Sequence, residues 1–326
     1  MKYLSILLIS LILVGCSSKQ LSYDARLSGF EYPFEVKNYQ FSSQRQVLEM
    51  SYMDLSGVES KKTVVLLHGK NFSGFYWKQI AQDLNAKGHR VIIPDQIGFG
   101  KSSKPRDYQF SFAQLALNTK NMLDELKVNN FILVGHSMGG MLAVTMANMF
   151  PNEIDKLVLI NPIGLEKYLE YVEFKDPEFF YKGELNKSVE KVISYQKKNY
   201  YDGKWSPRYE ELIVPTKGQL SGKDWPLVAW NNSLTYGPIF TEEVVSKFSN
   251  LKMKTYLILG TRDRTGPGRG WKKKGVKREL GRYDKLGREI KRLNKRKIKL
   301  FELKGLGHMP QFEDYKRFSE IFFPLF

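Results

Sequence analysis

The stretch 130–143 restricts the architecture of this chain more than any other. Phe131-Ile132-Leu133-Val134 is an apolar run of strand-favouring side chains, short enough for a parallel strand buried on both faces. Residues 138–150 then carry a helical pattern with an apolar face. Ser137 falls where strand gives way to helix, in Gly135-His136-Ser137-Met138-Gly139-Gly140. A turn that tight strains the serine backbone, and Gly135 and Gly139 offer no Cβ to collide there. It lifts the hydroxyl above the sheet edge and sets the free N–H groups of a helix start beneath it. An inert glycine-rich turn would share the five-residue pattern, but the flanking strand and helix favour a reactive serine. Such a serine needs a histidine, an acid and two oxyanion donors from elsewhere in the chain.

The remaining sequence supplies a sheet for this turn. Strands are predicted at 35–41, 46–53, 63–67, 90–94, 131–134, 156–160, 254–260 and 297–303. The first two are joined antiparallel across Ser42-Ser43-Gln44. Helices are predicted at 75–86, stopped by Gly88, at 111–126 with Ser111 as cap, and at 138–150, 241–249, 276–293 and 313–323. This alternation predicts a doubly wound α/β core over 34–164 and 241–326. Between the two parts the rhythm breaks, and 165–240 reads as an inserted helical cap. Residues 168–240 hold 15 aromatics in 73 positions, enough apolar material to roof a pocket. Most of those rings are expected to form the cap's own core. Trp230 and Tyr236, near the return to the sheet, are the candidate substrate contacts.

Residues 4–14 are apolar apart from Ser5 and Ser10, and they follow Lys2. Eleven residues fall short of the roughly 20 needed to span a bilayer but suit the core of a secretory signal. The run ends Leu13-Val14-Gly15-Cys16, which resembles the lipobox of bacterial lipoproteins, and Cys16 is the sole cysteine. The resemblance implies a signal peptide over 1–15, lipidation of Cys16, attachment to a membrane by acyl chains, and a polar tether over 16–33. An uncleaved anchor with an incidental thiol is the alternative. By analogy with enteric bacteria, Ser17 implies the outer membrane, with the protein facing the periplasm. One cysteine allows no intrachain disulfide, and four histidines without a Cys/His cluster give no reason to expect zinc. The net charge is +17, and residues 262–304 carry 18 Lys and Arg against 5 Asp and Glu. No recognition motif accompanies this charge, so a solvated basic helix is preferred and nucleic acid is not expected as a partner. Contact with anionic headgroups is an intermediate reading.

Four histidines could serve Ser137 as base. His89 precedes a strand and is expected to be solvated. His136 adjoins Ser137 on a turn whose neighbouring side chains diverge. His68 ends a strand and is better read as orienting its own loop. His308, in Gly305-Leu306-Gly307-His308-Met309-Pro310, sits on a loop after the last strand that can carry an imidazole over the sheet edge, and is the candidate base. An acid must then fix its tautomer. Two strand ends could supply one; the first offers Asn161, an uncharged amide, and the second offers Asp263. Asp263 is therefore the candidate, with a salt bridge to Arg262 or Arg264 as its other reading.

His68-Gly69, Asp95-x-x-Gly98-x-Gly100-x-Ser102, the glycine-flanked Ser137, Asp263 and Gly307-His308 together resemble the α/β-hydrolase fold family. The likeness runs from about Thr63 to the C-terminus except for the cap, and is nearest to bacterial esterases and meta-cleavage C–C hydrolases. The order Ser137, Asp263, His308 is that of the family. The resemblance implies an eight-stranded, mostly parallel sheet flanked by helices. It also implies an oxyanion hole formed by the Met138 N–H and, because His68-Gly69-Lys70 resembles the His-Gly-x oxyanion loop, the Lys70 N–H. Asn71 is a candidate additional donor. Serine at 137 argues against haloalkane dehalogenases and epoxide hydrolases, which use Asp there, and the Asp95 turn, although it ends Gly100-Lys101-Ser102, lacks the following helix of a phosphate loop. The basic segment with Trp271-Lys272-Lys273-Lys274 exceeds the family's usual connection, and rimming the site or facing the membrane are its two readings. The implied function is a membrane-anchored serine hydrolase, a carboxylesterase for an apolar ester, working without cofactor or metal. A C–C bond hydrolase with the same triad is one alternative. A non-catalytic binding lipoprotein on a hydrolase scaffold is another.

Overall fold

The computed structural model describes residues 21–56 and 60–326. The expected signal peptide, Cys16 and Ser17 lie outside the described residues. Eight strands form one sheet: β1 Val36–Ser43, β2 Gln46–Leu55, β3 Thr63–Leu67, β4 Arg90–Pro94, β5 Phe131–His136, β6 Ile154–Ile160, β7 Lys254–Gly260 and β8 Ile298–Leu303. Their order is β1-β2-β4-β3-β5-β6-β7-β8. The β1–β2 and β2–β4 pairs are antiparallel, and all other pairs are parallel.

The central strands are short apolar runs because both of their faces are covered. Val64, Leu66, Ile132 and Val134 face one layer, where Leu84 of helix α1 (Lys78–Ala86) is buried. Val65, Leu67, Leu133 and Leu159 face the other. There lie Leu115 of α2 (Phe112–Glu125) and Leu142 of α3 (Met138–Met149). Each such side chain removed from water contributes about 1.5–3 kcal/mol. Ser111 caps α2 as expected, its hydroxyl accepting from the Gln114 N–H at 3.0 Å.

Between β6 and β7 the chain leaves the sheet as a helical insert. It comprises α4 (Tyr168–Tyr171), α5 (Pro177–Leu185), α6 (Val189–Asn199), α7 (Pro207–Leu212), α8 (Val214–Leu220), α9 (Trp225–Leu234) and α10 (Tyr236–Thr241). After β7, α11 (Tyr283–Leu293) returns to the α2–α3 layer; α12 (Pro310–Glu313) and α13 (Tyr315–Phe322) follow β8. No helix among the described residues is long and apolar enough to cross a membrane.

Five expectations need correction. The first hairpin turns on Gln44 and Arg45, both with positive φ (50° and 63°), so β1 extends to Ser43. The predicted helix 241–249 is two pieces, α10 ending at Thr241 and a 3-10 turn at Ser246–Asn250. The helix predicted from 276 starts at Tyr283, because the preceding residues wrap Glu166: Arg278 Nε at 3.2 Å and the Gly281 N–H at 2.8 Å both donate to its carboxylate. The last helix breaks at Asp314, which caps α13 by accepting from the Arg317 N–H. The segment expected as part of a polar tether is docked from residue 21 onward. Ala25 and Leu27 are buried, the Tyr23 N–H donates to Gly218 O at 2.8 Å, and Ala25 packs on Trp225 and Val228 of α9. Its apolar residues find the cap.

Candidate active site

The chain order reverses around β3, which has β4 on one side and β5 on the other. At such a reversal the loops leaving the carboxyl ends of adjacent strands diverge and open a crevice. Ser137 leaves β5 there, and Gly69-Lys70 leave β3. Ser137 has φ 55° and ψ −121°, a conformation rarely open to a side chain and costing about 1–3 kcal/mol. Its neighbours hold it: its N–H donates to Ile160 O (3.2 Å), and its O accepts from the N–H groups of Gly140 (2.9 Å) and Ile163 (3.2 Å). The surrounding backbones touch. A Cβ on Gly135 would lie 2.4 Å from Gly139 O, and one on Gly139 would lie 2.4 Å from Leu67 O.

Three of the sequence-predicted residues meet at this turn. His308 Nε2 lies 3.0 Å from Ser137 Oγ, and His308 Nδ1 lies 2.7 Å from Asp263 Oδ2. Arg262 is engaged with Glu313, and Arg264 with Asp284, so neither takes Asp263. Burial would raise the Asp263 pKa. The facing imidazole and the hydrogen bonds outweigh that and hold it below the usual carboxylate range. Those bonds come from the Thr265 N–H (2.7 Å) and from Asn161 Nδ2 (2.8 Å). Asn161 also accepts the Gly260 N–H at 2.9 Å. The residue that sequence reasoning set aside as an uncharged amide thus buttresses the acid from the neighbouring strand end.

The other histidines brace the loops. His136 points away from the hydroxyl: its Nε2–H donates to His308 O (3.0 Å), and its Nδ1 faces Tyr76 Oη (3.1 Å). Tyr76 Oη in turn accepts the Gly69 N–H at 3.2 Å. One buried ring therefore links the His308 loop to the Gly69 loop, and burial pulls its pKa down to about 3. His68 Nδ1 contacts Gly69 O (2.9 Å) and its Nε2 accepts the Gln96 N–H (3.0 Å), which orients its own loop. His89 is buried against Phe326 rather than solvated.

Gly69 lies directly over the serine; a Cβ there would be 3.0 Å from Ser137 Cβ. The Met138 and Lys70 N–H groups, beside Ser137 and beside Gly69, have no acceptor among the described residues. Asn71 does not offer its amide to the same point. Its Nδ2 donates to Tyr200 Oη at 3.1 Å, and the Tyr200 ring lies 4.6 Å from that of His308.

A cavity of about 520 Å³ opens above Ser137 between the sheet and the insert. Tyr236 and Asn71 line it. Trp230 does not: its indole Nε1–H donates to Arg106 O at 2.8 Å, a bolt between insert and core. Two further contributors line the cavity, the first offered by the sequence as one of two readings and the second missed. The loop 265–271 after β7 forms one wall, with Trp271 packed on Phe179, Phe180 and Phe240 of the insert. Leu27 of the N-terminal segment forms part of another. A tryptophan heading a lysine run was the only signal for the first.

A probable hydrolytic enzyme from Pseudomonas aeruginosa is 39% identical and superposes with a TM-score of 0.91, over 94% of this chain and 99% of that one. An esterase from Exiguobacterium antarcticum shares the fold at 15% identity and a TM-score of 0.67, over 89% and 99% of the two chains. The 2-hydroxy-6-oxo-2,4-heptadienoate hydrolase of Pseudomonas putida is 30% identical over 115 residues, 34% of this chain and 41% of that protein. An uncharacterised protein of Mycobacterium tuberculosis is 34% identical over 113 residues, 35% of this chain and 33% of its own length. The chain thus spans only about a third to two fifths of these two curated relatives. A profile of the alpha/beta hydrolase fold matches residues 62–272, and the chain belongs to that family.

Proposed function

We propose that this chain is a serine hydrolase, a carboxylesterase for apolar esters, held at the outer membrane by a lipid on Cys16 and facing the periplasm. The observation that carries the enzymatic reading is the unbroken Ser137–His308–Asp263 relay at a strained turn beneath a mostly apolar cavity. In this reading Ser137 Oγ attacks the ester carbonyl carbon as its proton passes to His308 Nε2. The oxyanion forms against the Met138 and Lys70 N–H groups, and Asp263 stabilises the imidazolium. The C–O bond breaks, and His308 returns the proton to the departing alkoxide. Water then attacks the acyl-enzyme with His308 as base, which releases the acid and restores the serine.

A C–C bond hydrolase would use the same relay, and the Pseudomonas putida relative supports that second reading. A panel of p-nitrophenyl esters of rising chain length, with wild type and Ser137→Ala, tests the first. Turnover by wild type and a loss of about 10³-fold or more in the variant is expected. Equal turnover by the two proteins refutes it. Turnover confined to a vinylogous diketone transfers the assignment to the second reading.

A further inference from the structure

The cavity wall is mostly apolar, yet Lys70, Lys104, Lys187, Lys191 and Arg269 open onto it, and no Asp or Glu lines it. These five come from separate parts of the chain: the loop after β3, the loop after β4, the insert and the loop after β7. Lys70 and Lys104 are each only 8% exposed. A buried ammonium is costly unless an opposite charge meets it. Lys70 Nζ donates to Asn232 O (2.5 Å) and Thr235 Oγ1 (2.8 Å) and lies 4.0 Å from the centre of the Tyr236 ring. Lys104 Nζ donates to the carbonyls of Gly100 and, at 2.8 Å, Ser102. Lys191 reaches Asn186 O (2.7 Å), and Arg269 reaches Arg264 O (2.6 Å) and the Asn199 side chain.

Among the described residues, only Lys187 of the five has an ion pair, with Glu184 at 2.5 Å. Glu184 is felt by Lys70, and Asp95 and Asp24 by Lys104, but only at a distance. Burial pulls both lysines down to about 7. Elsewhere the chain pairs a largely buried lysine directly, as Lys120 with Asp124 and Glu153.

Building on the serine-hydrolase reading, we propose that the cavity receives an anionic amphiphile. This is an ester whose apolar chain lies along Ile163, Val228 and Phe240 and whose carboxylate or phosphate group is met by the cationic lining, Lys104 and Lys70 foremost. The anion supplies the charge these side chains lack. The same residues hold the substrate end for end, so the ester bond is presented to Ser137 in one orientation.

The test uses matched esters. Wild-type kcat/KM is measured for p-nitrophenyl hexanoate, for the mono-p-nitrophenyl ester of adipic acid, and for the p-nitrophenyl ester of 6-phosphohexanoic acid. At least one anionic ester is expected to exceed the neutral one by about tenfold or more, the free energy of one partly screened ion pair. The advantage should shrink in high salt. The larger gain identifies carboxylate or phosphate as the anion. In Lys104→Met the ratio of anionic to neutral turnover should fall toward one, and Lys104→Arg should restore it. Equal or poorer use of both anionic esters by wild type overturns the proposal, as does an unchanged ratio in folded Lys104→Met. If wild type cleaves none of the three, the esterase reading fails and the anion site is judged separately. Calorimetry with Ser137→Ala protein then compares hexyl phosphate and hexanoate with hexanol. Tighter binding of either anion supports the site, and equal binding overturns it.

Discussion

His136 shows how one side chain can serve a site it does not touch chemically. Its ring is buried, neutral and bonded at both nitrogens, to the backbone of the His308 loop and to the tyrosine that holds the Gly69 loop. Burial lowers its pKa from 6.5 unfolded to about 3 folded. The unfolded chain therefore binds more protons between those values, and stability falls as pH drops from about 6.5 toward 3. His68 and His89 are shifted in the same direction by burial. Urea midpoints measured between pH 8 and pH 5 should fall toward acid in wild type, at up to about 1.4 kcal/mol per pH unit for this one group. His136→Gln, which cannot take up that proton, should show a flatter curve; identical slopes would remove His136 from the account. The sequence revealed which histidine could reach the serine but not that its neighbour would brace two loops. That brace depends on Tyr76, 60 residues away in the chain, and periodicity reports nothing about such a distance. Asn161 was rightly set aside as the acid, but its residue type rules out one role without revealing the other, the amide that donates to Asp263.

Among the elements, β3, β5 and α3 approach until backbone meets backbone. Gly139 sits at the crossing, where a Cβ would lie 2.4 Å from Leu67 O and 2.6 Å from His68 O. Backbone cannot yield as a flexible side chain would. Gly139→Ala is thus expected to destabilise the fold by about 1–3 kcal/mol and to slow turnover by shifting the loop that carries Lys70. Chemical denaturation and ester turnover check this, and wild-type values for both would contradict it. The central strands were legible because each is a run of apolar β-formers bounded by turn residues, and that signal is local. The insert's helices were legible only as an aromatic-rich interruption. Their arrangement depends on contacts from outside 165–240: Trp271 wedged among Phe179, Phe180 and Phe240, and Ala25 packed on Trp225. Part of the basic stretch proved to be cavity wall, and five of its arginines are held in ion pairs, among them Arg278 with Glu166 and Arg288 with Glu302.

For the molecule as a whole, the docked segment from residue 21 carries the chain across the insert before the first strand. Cys16→Ala in full-length protein should move activity from the membrane fraction to the soluble fraction after cell breakage; retention in membranes would contradict lipid anchoring. The fold could be assigned from the sequence because the alternation of strands and helices, the glycine-flanked serine and the late histidine all follow one another along the chain. Substrate chemistry could not, because the cavity is assembled from six separate stretches. The claim on which the rest depends is that Ser137 is a nucleophile activated by His308 and Asp263. Mass spectrometry of wild type, Ser137→Ala and His308→Ala after exposure to a fluorophosphonate tests it most directly. The account predicts one adduct on the Ser137 peptide of wild type, none in Ser137→Ala and labelling slowed by about 10³-fold or more in His308→Ala. An unlabelled Ser137 in folded wild type, or equal labelling without His308, would contradict it.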